Sequence, residues 1–227
     1  FFIPGVIIDT YPALCERIVA EGHEVGHHGW THVPPASLKP EEEEATLVRG
    51  TERIVQLTGV KPRGYRSPSW DLSPVTLPLL IKYGFLYESS MMGHDHSPYR
   101  TRTGDVVHLD RAIEFGPQSP LIEMPISWSL DDFPHFEFLR LPTSVTPGLM
   151  NASGVLANWI DDFEYMRRTE EWGVLTYTCH PYVIGRGHRM LMLEKLLDAL
   201  VEKSAVFLTL EAAAKEYDAR SPFRAAR

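Results

Sequence analysis

Cysteine is scarce in this chain of 227 residues, since only Cys15 and Cys179 occur and both lie inside apolar stretches. Two such residues do not make a disulfide framework, and they suit a reduced compartment. We expect each of them to pack as a small, buried apolar side chain. The cysteine content therefore favours a cytoplasmic protein.

Long apolar runs and an excess of positive charge are also lacking. No run of about 18 apolar residues occurs, so we expect no membrane span. The formal net charge is −8, which disfavours nucleic acid or an anionic membrane as the main partner. Repeats, sustained heptads and low-complexity tracts are absent as well. These absences leave one globular domain over residues 1–227, which is long enough for a sizeable core.

The start of the chain lacks an initiator methionine and a signal-peptide pattern. Phe1, Phe2 and Ile3 read as an apolar strand that is already in progress. We therefore expect a strand upstream of Phe1 to have been lost, so that the domain is N-terminally incomplete.

An alternation of helix-like and strand-like segments fills the rest of the chain. Helices are predicted to begin near Thr10, Ser37, Ser73 and Ser153, and another carries the leucines of residues 193–200. Strands are predicted at HEVGHH, FLYESS, VLTYTC and AVFLTL. This alternation indicates an α/β fold with a parallel sheet, either open or closed into a barrel.

Four polar clusters follow predicted strands: GHHGWTH, RSPSW, SSMMGHDH and CHPYVIGRGHR. In parallel α/β folds the carboxyl ends of the strands form the edge where binding and catalytic sites are built. Because four clusters fall on this one edge, we expect a functional site there.

His28 and His32 in GHHGWTH have the HxxxH spacing. On a single helical turn these side chains share a face and reach one cation, although surface helices also produce the spacing by chance. Neutral imidazole binds zinc, cobalt, nickel or iron. Two histidines do not complete a site, and we expect a carboxylate on the upstream strand rather than Asp9 as a further ligand.

Arg66, Trp70 and His180 are candidates from two other clusters. Arg66 is suited to orienting a carboxylate or binding an acidic substrate, or else it caps a carbonyl at the surface. Trp70 forms a pocket wall or packs in the core. His180 stands at a strand end before a proline, where it can act as a general acid or base. Cys179 is not its partner, because adjacent strand residues point to opposite faces.

Further substrate contacts are predicted for Asp95, Trp128 and Arg186. Asp95 lies between two histidines in a polar loop, and Arg186 lies in a basic segment that is either a loop or the first turn of a helix. Asp131, Asp132 and His135 form another candidate rim beside Trp128, although solvated loop residues would give the same pattern.

FFIPGVIID, GHEVGHHGWTH, RSPSW and TYTCHP together resemble the polysaccharide deacetylase superfamily, which includes the family-four carbohydrate esterases. The resemblance covers most of the chain and implies a distorted (β/α) barrel of about seven strands. It implies that His28 and His32 bind a divalent metal such as zinc, that Arg66 orients the catalytic base and that His180 is the general acid. The base and a third metal ligand would be neighbouring acids of the first strand.

The resemblance implies a hydrolase of non-peptide amide bonds, with N-deacetylation of an amino sugar as its reaction. MMGHDH, SWSLDDFPHF and HPYVIGRGHR look like a subgroup with cytoplasmic peptidoglycan deacetylases, allantoinases and cyclic-imide hydrolases. Hydrolysis of a small cyclic amide or imide, with or without a metal, is therefore one alternative, and a non-catalytic binding protein is another. The expected partners are a small amide or amino-sugar substrate and further copies of the chain.

Overall fold

The computed structural model describes residues 1–224, apart from the side chain of Thr146. It contains two compact units, the first formed by Phe1–Met91, Pro98–Met124 and Leu208–Arg227 and the second by Met92–Ser97 and Pro125–Phe207. A single domain over residues 1–227 stays a prediction. Every helix among the described residues is too short or too polar to span a lipid bilayer.

The first unit contains a six-stranded sheet with the order β1-β2-β3-β4-β6-β5. Its strands are β1 (Phe2–Ile3), β2 (Gly26–His27), β3 (Gly64–Tyr65), β4 (Tyr87–Glu88), β5 (Tyr99–Arg102) and β6 (Gln118–Glu123). Neighbouring strands are parallel except at β5, which is antiparallel to β6. The α/β prediction is therefore confirmed, and the sheet remains open over residues 1–224.

The α-helices connect and follow these strands. They are α1 (Gly5–Thr10), α2 (Pro12–Ala20), α3 (Pro40–Thr58), α4 (Thr76–Lys82), α5 (Asp132–Phe136), α6 (Ala152–Thr169), α7 (Pro181–Ile184), α8 (Gly187–Glu202) and α9 (Leu210–Arg220). Local chemistry explains the bounds of α3, because Pro40 suits a first helical position and Gly59 ends the helix with φ of 79°.

The second unit packs α6 and α8 around a core that includes Val155, Trp159, Phe163, Leu196 and Leu200. It also contains a short antiparallel pair, β7 (Leu139–Arg140) and β8 (Val145–Thr146).

Two strand predictions are wrong. VLTYTC makes only a single bridge, between Asp131 and Thr178, and AVFLTL forms no strand within the described residues. Both segments are rich in residues that favour strands, but a strand also needs a neighbour to complete its hydrogen bonds. Val206 is 79% exposed, so AVFLTL does not pack as a core strand.

Gly64 lies where β3 passes closest to the ring of Tyr87, which is buried and donates a hydrogen bond to Glu24 at 2.7 Å. A Cβ atom at Gly64 would lie 1.9 Å from Cζ of Tyr87. We therefore expect Gly64→Ala to lower the free energy of unfolding by about 2 kcal/mol or more.

Chemical denaturation of Gly64→Ala measures this loss of stability, and Gly154→Ala in α6 is the control. A Cβ at Gly154 meets no atom within 4 Å, so this change should leave stability unchanged or raise it by up to about 1 kcal/mol. Equal stabilities for the two variants would show that the approach of Gly64 to Tyr87 is not tight.

Candidate active site

His28 and His32 lie in the loop after β2, not on a helical turn, so the helical explanation of their spacing is wrong. Gly29 has φ of 70° and His32 has φ of 60°, and these left-handed residues turn the chain back on itself. The two imidazole rings meet edge to face with their centroids 4.9 Å apart. The loop thus brings together the two nitrogen donors that the motif indicated.

The surroundings of His28 make it a neutral imidazole with a defined tautomer. Its Nδ1 lies 2.7 Å from the carbonyl oxygen of Arg66, and since a carbonyl only accepts, Nδ1 carries the hydrogen and Nε2 carries the lone pair. Burial lowers the pKa of His28 to about 3. A neutral ring held through one nitrogen fits a metal ligand well.

His27 supports this loop from the other face of the sheet. It is fully buried, its Nε2 lies 3.1 Å from the carbonyl oxygen of Leu47, and its Nδ1 accepts the N–H of Gly29 at 3.1 Å. Burial lowers the pKa of His27 to about 4. Trp30 packs against the guanidinium of Arg49. His27 and Trp30 therefore act in packing rather than as metal ligands.

Arg66 follows β3 and is buried, which excludes the alternative of a surface arginine. Its Nε donates to the carbonyl oxygen of Ser89 at 3.0 Å and its Nη2 donates to Oγ of Ser89 at 2.9 Å. Its guanidinium carbon lies 4.3 Å from the ring centroid of Phe2. The side chain is therefore fixed, and its carbonyl is the group that holds His28.

Trp70 is half-buried in the turn that follows Arg66. Ser69 and Trp70 have φ of 58° and 53°, in the left-handed region that costs free energy for residues other than glycine. Backbone strain of this kind concentrates at functional sites, and a pocket wall at Trp70 stays a prediction.

In the second unit His180 is paired with Asp132. The Nδ1 of His180 lies 2.6 Å from Oδ1 of Asp132, and the backbone N–H of His180 donates to Oδ2 at 2.9 Å. Hydrogen bonds from Thr178 to Leu130 and from Asp132 to Thr178 hold the two segments side by side. The contact with Asp132 orients the imidazole and leaves Nε2 as the nitrogen that can exchange a proton.

Asp131, Asp132 and His180 also form a group whose ligand atoms lie within 4.8 Å of one another, close enough to hold a metal ion. Both carboxylate oxygens of Asp132 are used by His180, and Oδ1 of Asp131 accepts the N–H of Phe133 at 2.7 Å. These contacts fit a carboxylate that orients a histidine better than a metal cage.

The remaining predicted residues lie at the surface. Asp95 and Arg186 are exposed, Trp128 is 39% exposed, and Arg186 directly precedes α8. His135 is hydrogen-bonded to the carbonyl oxygen of Ser129 at 2.8 Å.

Among the predicted site residues, His28, His32 and Arg66 lie in the first unit, and His180 lies with Asp132 in the second.

The sequence does not predict the contact between Asp132 and His180. The signal available in the sequence is the pair of adjacent acids in SLDDFP, for which a rim with His135 is the sequence-based prediction.

Comparisons with known proteins agree with these motifs. Residues 1–87 match the family described as polysaccharide deacetylase. The chain is 34% identical to a peptidoglycan deacetylase of Helicobacter pylori, over 98% of this chain and 79% of that protein. It is 29% identical to a peptidoglycan deacetylase-like protein of Gibberella zeae, over 96% of this chain and 69% of the relative.

Solved structures share the fold. A Mycobacterium smegmatis protein described as a polysaccharide deacetylase superposes with a TM-score of 0.81 at 29% identity, covering 100% of this chain and 74% of its own. The Puue allantoinase superposes with a TM-score of 0.75 at 20% identity, covering 98% of this chain and 68% of its own.

Proposed function

The chain belongs to the polysaccharide deacetylase family, whose members hydrolyse amide C–N bonds. On that premise, we propose that it removes the acetyl group from an N-acetylated amino sugar by a metal-dependent reaction. The observation that supports this most is the His28–His32 pair, with the Nδ1 of His28 held by the carbonyl oxygen of Arg66. This arrangement presents a lone pair on a neutral ring, which is what a divalent cation requires.

His28 and His32 would hold the metal, with zinc as our first choice and cobalt, nickel or iron as alternatives. When bound, the metal polarises the amide carbonyl and makes water a better nucleophile. Arg66 fixes His28 through its carbonyl oxygen. The resemblance assigns the third ligand and the general base to carboxylates and gives Arg66 the further role of orienting that base, and both assignments stay predictions.

His180 would donate a proton to the leaving amine. Asp132 keeps the hydrogen on Nδ1 and stabilises the positive charge of the ring whenever Nε2 is protonated. Such a positioned acid prevents expulsion of an unstable amide anion, which is the difficult part of breaking an amide. Trp70, Asp95, Trp128 and Arg186 stay predictions for contacts with the substrate.

The family acts on polysaccharides, and the two relatives named above point to peptidoglycan as the substrate class. We propose the N-acetylated sugar of that polymer, or a short fragment of it, as the substrate. A cytoplasmic location and assembly with further copies of the chain stay predictions.

Acetate release from N-acetylated chito-oligosaccharides and peptidoglycan fragments tests this function. The zinc-loaded protein is expected to release one acetate for each new free amine, and chelation should abolish the reaction until the metal is restored. Allantoin and a cyclic imide are the competing substrates. Their hydrolysis without acetate release would replace the proposed function with the cyclic-amide alternative.

A further inference from the structure

Glu88 and Glu123 form a buried pair of acids in the sheet of the first unit. Glu88 of β4 and Glu123 of β6 are partners in the register of these two parallel strands, so their side chains leave the same face of the sheet. Both residues have 0% exposure. Two carboxyl groups on neighbouring strands without access to water are unusual, because each ionised carboxylate loses its hydration.

The hydrogen bonds of this pair show what is missing. Oε1 of Glu123 accepts the backbone N–H groups of Ser90 and Met91, each at 2.9 Å. Oε2 of Glu123 and both oxygens of Glu88 have no such donor within the described residues, and the strand register places the two side chains next to each other on one face. A proton on one carboxyl group would satisfy the other, whereas two carboxylates would leave three acceptors unpaired.

None of the three unpaired oxygens accepts a hydrogen bond from a cationic side chain among residues 1–224. The titratable neighbours on this face are phenols on the two flanking strands, Tyr65 opposite Glu88 and Tyr99 opposite Glu123, together with His27 on β2 and Glu43 on α3. Arg66 and Arg100 directly follow these two tyrosines in the sequence and therefore point to the other face of the sheet.

Those two arginines are committed elsewhere, since Arg66 donates to Ser89 and Arg100 forms an ion pair with Asp218. Burial and the negative charge of Glu88 hold the pKa of Glu123 well above its usual range. A doubly ionised pair would therefore be strongly destabilised.

We propose that Glu88 and Glu123 share one proton, and that this acid pair positions Arg66 and His28 for the reaction. The second half of this inference rests on the proposed function.

Hydrogen bonds and peptide links between adjacent residues connect the pair to the candidate metal ligand. Glu123 fixes the backbone of Ser90, whose Oγ accepts the N–H of Ser67 at 2.8 Å. Ser89 accepts hydrogen bonds from Nε and Nη2 of Arg66, and the carbonyl oxygen of Arg66 holds Nδ1 of His28. All these residues lie in the first unit.

The shared proton has a definite effect on stability. Because the folded state keeps a proton that the unfolded chain releases above the ordinary pKa of glutamic acid, stability is full below that pKa and falls as the pH rises toward the raised pKa of Glu123. In that window the folding equilibrium constant is expected to fall about tenfold for each pH unit.

Denaturation between pH 5 and 9 tests the shared proton without using activity. Glu88→Gln supplies a permanent N–H donor to Glu123, so the loss of stability with rising pH should become markedly smaller than in the wild type. Glu43→Gln is the control, because the buried Glu43 accepts hydroxyl hydrogen bonds from Ser73 and Thr76 and not from another acid. An unchanged slope for Glu88→Gln would overturn the shared proton.

Comparing Glu123→Gln with Glu123→Ala tests the positioning role. Glutamine keeps an acceptor for Ser90 and Met91, so kcat should stay within about threefold of the wild type, whereas alanine should lower kcat at least tenfold and shift the NMR signal of the His28 Nδ1 proton. An unshifted signal and wild-type kcat in Glu123→Ala would overturn the role. If the wild type shows no deacetylase activity, the proposed function fails, and the signal and the pH slopes still decide this inference.

Discussion

Replacing His180 with alanine is expected to lower kcat for deacetylation by about a hundredfold to ten-thousandfold, the usual contribution of a positioned general acid. The imidazole is fixed at Nδ1 by Asp132 at 2.6 Å, so its proton is presented from one nitrogen in one orientation. Alanine removes that proton without removing the candidate metal ligands. The metal content of the purified variant should therefore equal that of the wild type, and steady-state kinetics with elemental analysis measures both.

His188→Ala is the matched control for this variant, since His188 is an exposed histidine of α8. It should retain wild-type kcat and metal content. A fall in kcat of less than threefold for His180→Ala would contradict its role as the general acid.

Replacing His28 with alanine is expected to remove the metal and the activity together. Both follow from the same contact, because the Arg66 carbonyl holds Nδ1 and leaves Nε2 as the ligand atom. The ligands that remain without His28 would bind the ion too weakly to retain it through gel filtration. We expect less than a tenth of the wild-type metal content, and acetate release below detection, in a variant whose thermal unfolding remains cooperative.

His23→Ala provides the control for His28→Ala. His23 precedes β2 and is half-exposed beside Glu21, so the loss of its ring should change neither metal content nor activity. If His28→Ala keeps its metal and Asp132→Asn loses it, the ion binds at Asp131, Asp132 and His180, and the assignment of His28 as a ligand is wrong.

Local chemistry makes part of the helix pattern predictable. The helix predicted near Ser37 begins at Pro40 and ends before Gly59, because both residues act through their own backbone preferences. The strands at VLTYTC and AVFLTL could not, because pairing depends on neighbours distant in the chain. The HxxxH spacing predicts that the rings of His28 and His32 lie close together, and they do. The helical geometry that explained the spacing is wrong, since His32 has a left-handed backbone conformation.

The partners of the site residues are harder to predict than the residues themselves. His180 was identified from its place after a β-prone segment, but Asp132 lies 48 positions away and meets it only in the folded chain. Glu88 and Glu123 are also distant in the sequence, and nothing around either residue predicts a special role. They become neighbours only through the register of β4 and β6.

Metal content and acetate release, measured together during zinc titration of the metal-free protein, test the central claim most directly. The wild type should gain activity in proportion to bound zinc and saturate at one ion per chain, while His28→Ala should bind no zinc and release no acetate. Acetate release by the metal-free protein, or by His28→Ala at the wild-type rate, would contradict a metal site at His28 and His32.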